Sequence, residues 1–462
     1  MMLVFPILLS CLLGYLTCLF IFEERTLSDS RFLINLSFPI GLGISSLIFI
    51  SFNLLHFHYL LILLIEIGLT ALLLVKLKKV KRSFFKFEHF SLNKLILNPV
   101  LLFTTVIYLY SWLMDAGIFF FDTVKEPNGL WDAWAMWNMK AKVISQAPYN
   151  WPDLFGQMNM DSFHIDYPLL QTGFIARSWL LMGNESTYIP AIVAFIFAFC
   201  TIGLLYSSIT FFTTKTEGLI AGLILLCTPF FMIMGDSQYA DNTVGFFYLA
   251  TIVLLTFAQS HTSLKPRLLI LAGITAGLSA WSKNEGILFI TCLIISQFTR
   301  LFFKNFRELA AELKYLFLGM LPVLIVVAYH KLAIAPTNDI IQAQGATTWA
   351  KLTDYSRYET VLNWYIAQFG TFGKWVLNPW WLFLIGILAN GLSFNKNNGV
   401  ISNSILLIIM LAGFFFIYII TPLDLTFHLS SSIHRLFFQL FPSFIFVYFI
   451  ALKRKLPIKQ FS

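Results

Sequence analysis

Apolar runs of about twenty residues recur along the 462-residue chain, separated by short polar stretches. They fall near 2–22, 31–51, 58–75, 96–118, 189–212, 218–235, 242–259, 267–281, 286–303, 315–330, 379–394, 400–421 and 436–452. A helix of that length crosses a hydrocarbon core of about 30 Å. The pattern predicts an all-α polytopic membrane protein with about thirteen transmembrane helices. Residues 1–95 form three N-terminal transmembrane helices and a basic cytoplasmic loop, and residues 96–462 form a transmembrane core.

Two segments between runs are long, 119–188 and 331–378. The first carries Trp131, Trp134 and Trp137 at three-residue spacing, which aligns them on one helical face, then Trp151. It also carries an apolar stretch from Leu169 to Met182, interrupted by Arg177. Both stretches read as short amphipathic helices in the membrane interface. The second segment, with Trp349, Tyr355, Tyr358, Trp364 and Tyr365, reads the same way. Both loops are expected on the bilayer surface, over the bundle.

Composition agrees with the periodicity: 58% of the residues are hydrophobic and 12% charged, far from soluble usage. Charge fixes the orientation. Lys76, Lys78, Lys79, Lys81, Arg82, Lys86 and Lys94 lie between two spans, which assigns that loop to the cytoplasm. Alternation then puts the N-terminus outside and Lys453, Arg454 and Lys455 inside. The inner side holds 21 basic and 8 acidic residues, the outer side 10 and 15. The net charge of +8 therefore reflects topology and headgroup contact, and no nucleic-acid partner is implied. Five cysteines, all within expected spans and without a C-x-x-C pair, give neither a disulfide framework nor a zinc site. The first apolar stretch lacks a basic leader and a small-residue cleavage site, so it reads as a retained span.

Eleven of the twelve aspartates fall on the outer side, all but Asp29. Asp132, in Trp131-Asp132-Ala133-Trp134, stands out. Among indoles at the water boundary, a partly desolvated carboxylate is a better base than one in bulk water. The competing reading is an aromatic belt whose Asp caps a helix or faces water. Lys140 is expected on the Asp132 face two turns on, and it and Lys142 either hold a phosphate or snorkel to headgroups. Asp166-Tyr167-Pro168 is an extended or turn segment, with Pro168 starting a helix. Asp236 and Asp241 share one short polar turn, and Lys283 and Glu285 another. Lys283 and Glu285 either lock their loop or meet substrate. His428 and Arg435 lead into the last span, where an arginine suits a lipid phosphate. Glu66 lies in mid-span, where a helix–helix hydrogen bond is the expected role.

No G-x-x-x-x-G-K-[ST], H-E-x-x-H or G-x-S-x-G occurs, so nucleotide hydrolysis, zincin proteolysis and hydrolase-elbow chemistry lack support. Nothing in the sequence requires a cofactor, and a divalent metal is left open.

Trp131-Asp132-Ala133-Trp134, Lys140-Ala141-Lys142, Asp166-Tyr167-Pro168, Lys283-Asn284-Glu285-Gly286 and the Leu429–Arg435 region resemble the GT-C class of membrane glycosyltransferases. The nearest resemblance is to dolichyl-phosphate-mannose–protein mannosyltransferases and bacterial aminoarabinose transferases, across roughly residues 96–452. It implies sugar transfer with inversion from a polyprenyl-phosphate carrier to a lipid, glycan or protein acceptor at the outer leaflet of a bacterial cytoplasmic (inner) membrane. In those terms Asp132 matches the first-loop base, and Tyr167-Pro168 the proline-rich segment after it. Lys140, Lys142 or Arg435 stabilise the leaving phosphate, and the aromatic loops cover the sugar. Many relatives carry two adjacent acids where this chain has Asp132-Ala133; Asp166, Asp236 and Asp241 are candidates for the second. A flippase of lipid-linked sugars, a polysaccharide polymerase or ligase, and a non-enzymatic scaffold are the rival readings. No internal repeat of the transporter kind is evident, and the late loop is poor in arginine.

Overall fold

The computed structural model describes residues 4–22, 30–79, 95–157, 163–302, 305–343, 345–375, 378–393 and 399–453. Asp29 and the basic residues Lys81, Arg82, Lys86, Lys94, Arg454 and Lys455 lie outside the described residues. The regular elements described are helical, apart from isolated bridge residues such as the antiparallel pair Leu392 and Leu452.

Four helices come first: α1 (Phe5–Ile21), α2 (Ser30–Leu54), α3 (Tyr59–Lys79) and α4 (Pro99–Lys125). The first long loop contributes α5 (Met139–Gln146), α6 (Trp151–Gln157) and α7 (Leu170–Met182). The body continues with α8 (Tyr188–Phe212), α9 (Lys215–Leu226), α10 (Pro229–Asp236), α11 (Ala240–Ser260), α12 (Lys265–Ser282), α13 (Glu285–Phe298) and α14 (Phe306–Tyr329). After the late-loop helices α15 (Ala346–Thr353) and α16 (Tyr355–Thr371) come α17 (Trp380–Asn390), α18 (Val400–Ile420) and α19 (Leu425–Ala451).

Among the described residues nine helices are long and apolar enough to cross a membrane, or ten if the α9–α10 pair is one broken span. That pair bends by 68°. Pro229 causes the bend: it has no N–H for the helical ladder and drives Thr228 into extended backbone. Each of the thirteen apolar runs meets a helix or this bent pair, but α1 and α17 are shorter apolar helices, and the count of thirteen is not fixed. The chain is an integral, multi-pass, all-α membrane protein.

The core is centred on α11, whose residues from Ala240 to Ala258 are all buried, as an apolar-all-round helix demands. It packs against α12, α19 and α8, and α12 crosses α14 closely. At that crossing a Cβ on Gly273 would strike the carbonyl oxygen of Leu316, and one on Gly319 that of Ile270. Small residues there let the two backbones touch.

The first loop departs from expectation. The Leu169–Met182 stretch does not lie on the surface as an amphipathic helix: α7 is buried from Leu170 to Trp179 and packs on α2 and α5. Its lone charge is met inside the protein, because Arg177 Nε donates to Glu66 Oε1 of α3 at 2.8 Å and a second bond joins Arg177 Nη2 to Glu66 Oε2. Glu66 thus makes the helix–helix contact expected of it, and Arg177 is its partner. In the late loop Trp349 and Tyr355 are exposed, but Tyr365 is buried, its hydroxyl donating to the carbonyl of Leu411 at 3.0 Å.

Candidate active site

Asp132 is positioned by a short segment strung between α4 and α5. Past α4, the Leu130 N–H donates to the carbonyl of Ser237 at 3.2 Å, and the Asp132 N–H to Tyr239 Oη at 3.2 Å. The turn between α10 and α11 therefore holds the Asp132 backbone. The side chain forms an ion pair with Arg435 of α19, 303 residues away in sequence. The Arg435 guanidinium lies 5.6 Å from the centre of the Tyr239 ring, a cation–π contact that fixes its plane.

Behind this pair the charges alternate. Asp241, in the first turn of α11, is 3.9 Å from Arg435 and accepts from Lys283 Nζ at 3.0 Å and Gln439 Nε2 at 2.7 Å. Lys283 also pairs with Glu285 at 2.9 Å and faces the Tyr167 ring at 5.6 Å. Buried ions are costly unless each meets its opposite, and here three carboxylates surround two cations. Burial works against the charge on Lys283, but Asp241 and Glu285 outweigh it and hold the ammonium well above its ordinary range. Burial pushes the Tyr167 phenol up, with Glu285 adding to it. Three buried atoms at this centre have no hydrogen-bond partner: Arg435 Nε, Glu285 Oε2 and Gln439 Oε1. Native interiors rarely leave such groups unmatched, so they mark where an incoming polar ligand could bond.

A second centre surrounds Asp166. Its Oδ2 accepts from Asn284 Nδ2 at 2.6 Å and Asn338 Nδ2 at 2.7 Å, and Lys331 donates to its backbone carbonyl. Lys331 also donates to Asn284 Oδ1 at 2.5 Å. Lys140 is buried beside it, its Nζ donating to the His164 carbonyl at 3.1 Å and lying 4.7 Å from the Trp137 ring. Burial lowers the Lys140 ammonium to about 7, against the opposing pull of Asp166. The two centres meet at consecutive residues: Lys283 serves Asp241 and Glu285, and Asn284 serves Asp166. The turn carrying both is tight, since a Cβ on Gly286 would overlap the backbone of Ser279.

Several expectations change. Asp132 and Lys140 serve different groups: Asp132 pairs with Arg435, whereas Lys140 is buried against the His164 carbonyl and the Trp137 ring. Residues Ala133–Asn138 form a π-helical turn, whose i→i+5 bonding shifts the phase of everything after it. The same turn breaks the tryptophan row, leaving Trp131 and Trp134 half-exposed with rings edge-to-face at 6.0 Å while Trp137 is buried. Lys142 is exposed and pairs with Glu185 at 3.3 Å. Asp236 lies beside Asp122 of α4, whereas Asp241 faces Lys283 and Arg435. The helix after Pro168 begins at Leu170. Arg435 lies inside α19, not at its end, about three turns from Leu425. His428 is in the first turns of α19 and bonds Thr421 Oγ1 at 2.8 Å. Sequence reasoning gave no role to Tyr239, Lys331, Asn338 or Gln439, and quoted Asn284 only as part of a motif. Only Asn284 had a local signal, its place between Lys283 and Glu285. His330 was also missed; it is buried edge-to-face on Trp281 at 5.9 Å, with neither ring nitrogen partnered. Among the described residues no group of three or more His, Cys, Asp or Glu side chains is arranged to hold a metal ion.

Residues 166–331 match the family described as dolichyl-phosphate-mannose-protein mannosyltransferase. The match supports a GT-C-like relative and a membrane glycosyltransferase. It covers less than half of the chain. The matched segment runs from Asp166 to Lys331, two residues that touch in the fold. It includes Asp241, Lys283 and Glu285, and stops short of Asp132 on one side and Arg435 on the other. No curated protein and no solved structure matches the chain.

Proposed function

We propose that this protein transfers a sugar from a polyprenyl-phosphate carrier to an acceptor at the outer leaflet of the cytoplasmic membrane, with inversion, and that Asp132 is the general base. The observation that carries the reading is the Asp132–Arg435 pair set in front of the buried Asp241–Lys283–Glu285 array, beside a segment that matches the mannosyltransferase family. The buried Nε of Arg435 has no hydrogen-bond partner, and the guanidinium's charge is shared with Asp132 and Asp241. A donor phosphate competes for that guanidinium and frees the Asp132 carboxylate for proton transfer. The acceptor hydroxyl gives its proton to Asp132 as its oxygen bonds the anomeric carbon. The carbon–oxygen bond to phosphate breaks, and the electron pair leaves on polyprenyl phosphate. Arg435 then stabilises the departing anion, as fixed donors aimed at developing charge do. The acceptor is a lipid, glycan or protein hydroxyl.

Membranes carrying wild type or Asp132→Asn, incubated with labelled polyprenyl-phosphate sugars, test this. Loss of a general base costs about 10²–10⁴-fold in rate, so transfer by Asp132→Asn is expected to fall by that much. Equal transfer by both proteins removes Asp132 from the role. Movement of intact labelled lipid across the bilayer, without transfer, would instead favour a flippase.

A further inference from the structure

Beside the π-helical turn lies a cavity of about 620 Å³, and Asp132 is not part of its wall. Its lining includes Glu126 and Asn128 after α4, Asn138 of the π turn, Trp179 of α7 and Glu185. Trp134 stands at its edge with nearly half of its surface exposed. A volume in this range suits a ligand of a few rings.

The chemistry of the walls narrows the occupant. Asn138 is more than nine-tenths buried; its Nδ2 donates to the Asn128 carbonyl at 3.2 Å and to Gln238 Oε1 at 3.1 Å. Its Oδ1 has no partner. That oxygen is itself buried, so the acceptors open to the cavity are the carboxylates of Glu126 and Glu185. Glu185 is already held in the wall by Lys142 at 3.3 Å and Gln146 at 2.7 Å. The only lysine in the wall is thus engaged, and two carboxylates repel a phosphate. Polar groups make up about half of the lining, unlike the continuous apolar wall that a lipid tail needs. What remains is a ligand with donor hydroxyls on its edge and C–H groups on its faces to lie against indole.

We infer that this cavity binds a saccharide: the non-reacting part of a glycan acceptor. This rests on the sugar-transfer reading for its purpose but not for its detection. Binding a remote part of the substrate supplies energy for orienting the reacting hydroxyl at Asp132. An acceptor of two or three sugar rings is therefore used better than a single ring.

The test is saturation-transfer-difference NMR on the full chain in detergent micelles, without donor, with mannotriose and a serine-rich peptide as probes. Signal on the ring C–H protons of mannotriose is expected for wild type and for Asp132→Asn. It is expected to weaken about tenfold in Trp134→Ala, the loss of one aromatic platform. Glu126→Gln, an exposed and nearly isosteric change at the rim, is the second variant and weakens the same signal without a folding risk. No mannotriose signal, or equal signal in wild type and both variants, overturns the inference, and signal from the peptide alone replaces it with a protein acceptor. Because no donor is present, saccharide binding can succeed or fail independently of whether Asp132→Asn abolishes transfer.

Discussion

Lys140 illustrates how a single side chain reports its surroundings. It is buried on two aromatic rings, with only a backbone carbonyl as a hydrogen-bond acceptor. Its ammonium falls from the ordinary 10.5 to about 7 through burial, with Asp166 opposing and Lys331 adding. Between those two values the folded chain binds fewer protons than the unfolded one, so stability rises with pH through that window. The penalty for burying a charge is fully present below about pH 7. Melting of the purified protein is expected at a higher temperature at pH 9 than at pH 6, and Lys140→Met is expected to flatten that slope. An unchanged slope in the variant would assign the pH dependence to other groups. Little of this was legible beforehand. The spacing from Asp132 to Lys140 carried no sign that Lys140 is buried against Trp137 and the His164 carbonyl, and no residue type marks Ala133–Asn138 as a π turn.

At the scale of helices, α7 is tied to α3 by the Arg177–Glu66 pair, both side chains almost fully buried. Removing one partner of such a pair leaves an uncompensated charge and costs about 3–5 kcal/mol. Arg177→Met is expected to lower the melting temperature markedly, and adding Glu66→Leu to recover most of the loss. A double variant no better than the single one would show that the pair does more than neutralise itself. The existence of the helices was legible, because a bilayer demands runs of fixed length and the chain supplies them. The placement of α7 was not. An apolar stretch of thirteen residues with one arginine fits an interface as well as a buried helix, and its partner is 111 residues away. The site divides in the same way: Asp132 announced itself among tryptophans, whereas its pairing with Arg435 depends on how α4, α11 and α19 pack.

For the whole molecule, the sign pattern of the loops predicts which end faces the cell exterior. Helix α14 offers a direct check, because Arg307 at its start and Glu359, in the late loop beyond its other end, are both exposed. In a Cys227→Ser background, which removes the one exposed native thiol among the described residues, Glu359→Cys is expected to react with a membrane-impermeant maleimide on intact cells and Arg307→Cys only after lysis. The reverse pattern would turn the proposed site towards the cytoplasm. The α12–α13 turn carries a last consequence. Lys283 and Asn284 are neighbours on a turn whose Gly286 packs against the Ser279 backbone, and each grips a different carboxylate centre. Any ligand that draws one of them towards itself must shift the other, so the two centres share a coupling free energy. Whatever factor an occupant of the Arg435 side adds to affinity on the Asp166 side is returned in full in the opposite direction. Two substrates meeting there would bind as a thermodynamically linked pair, each reporting the presence of the other.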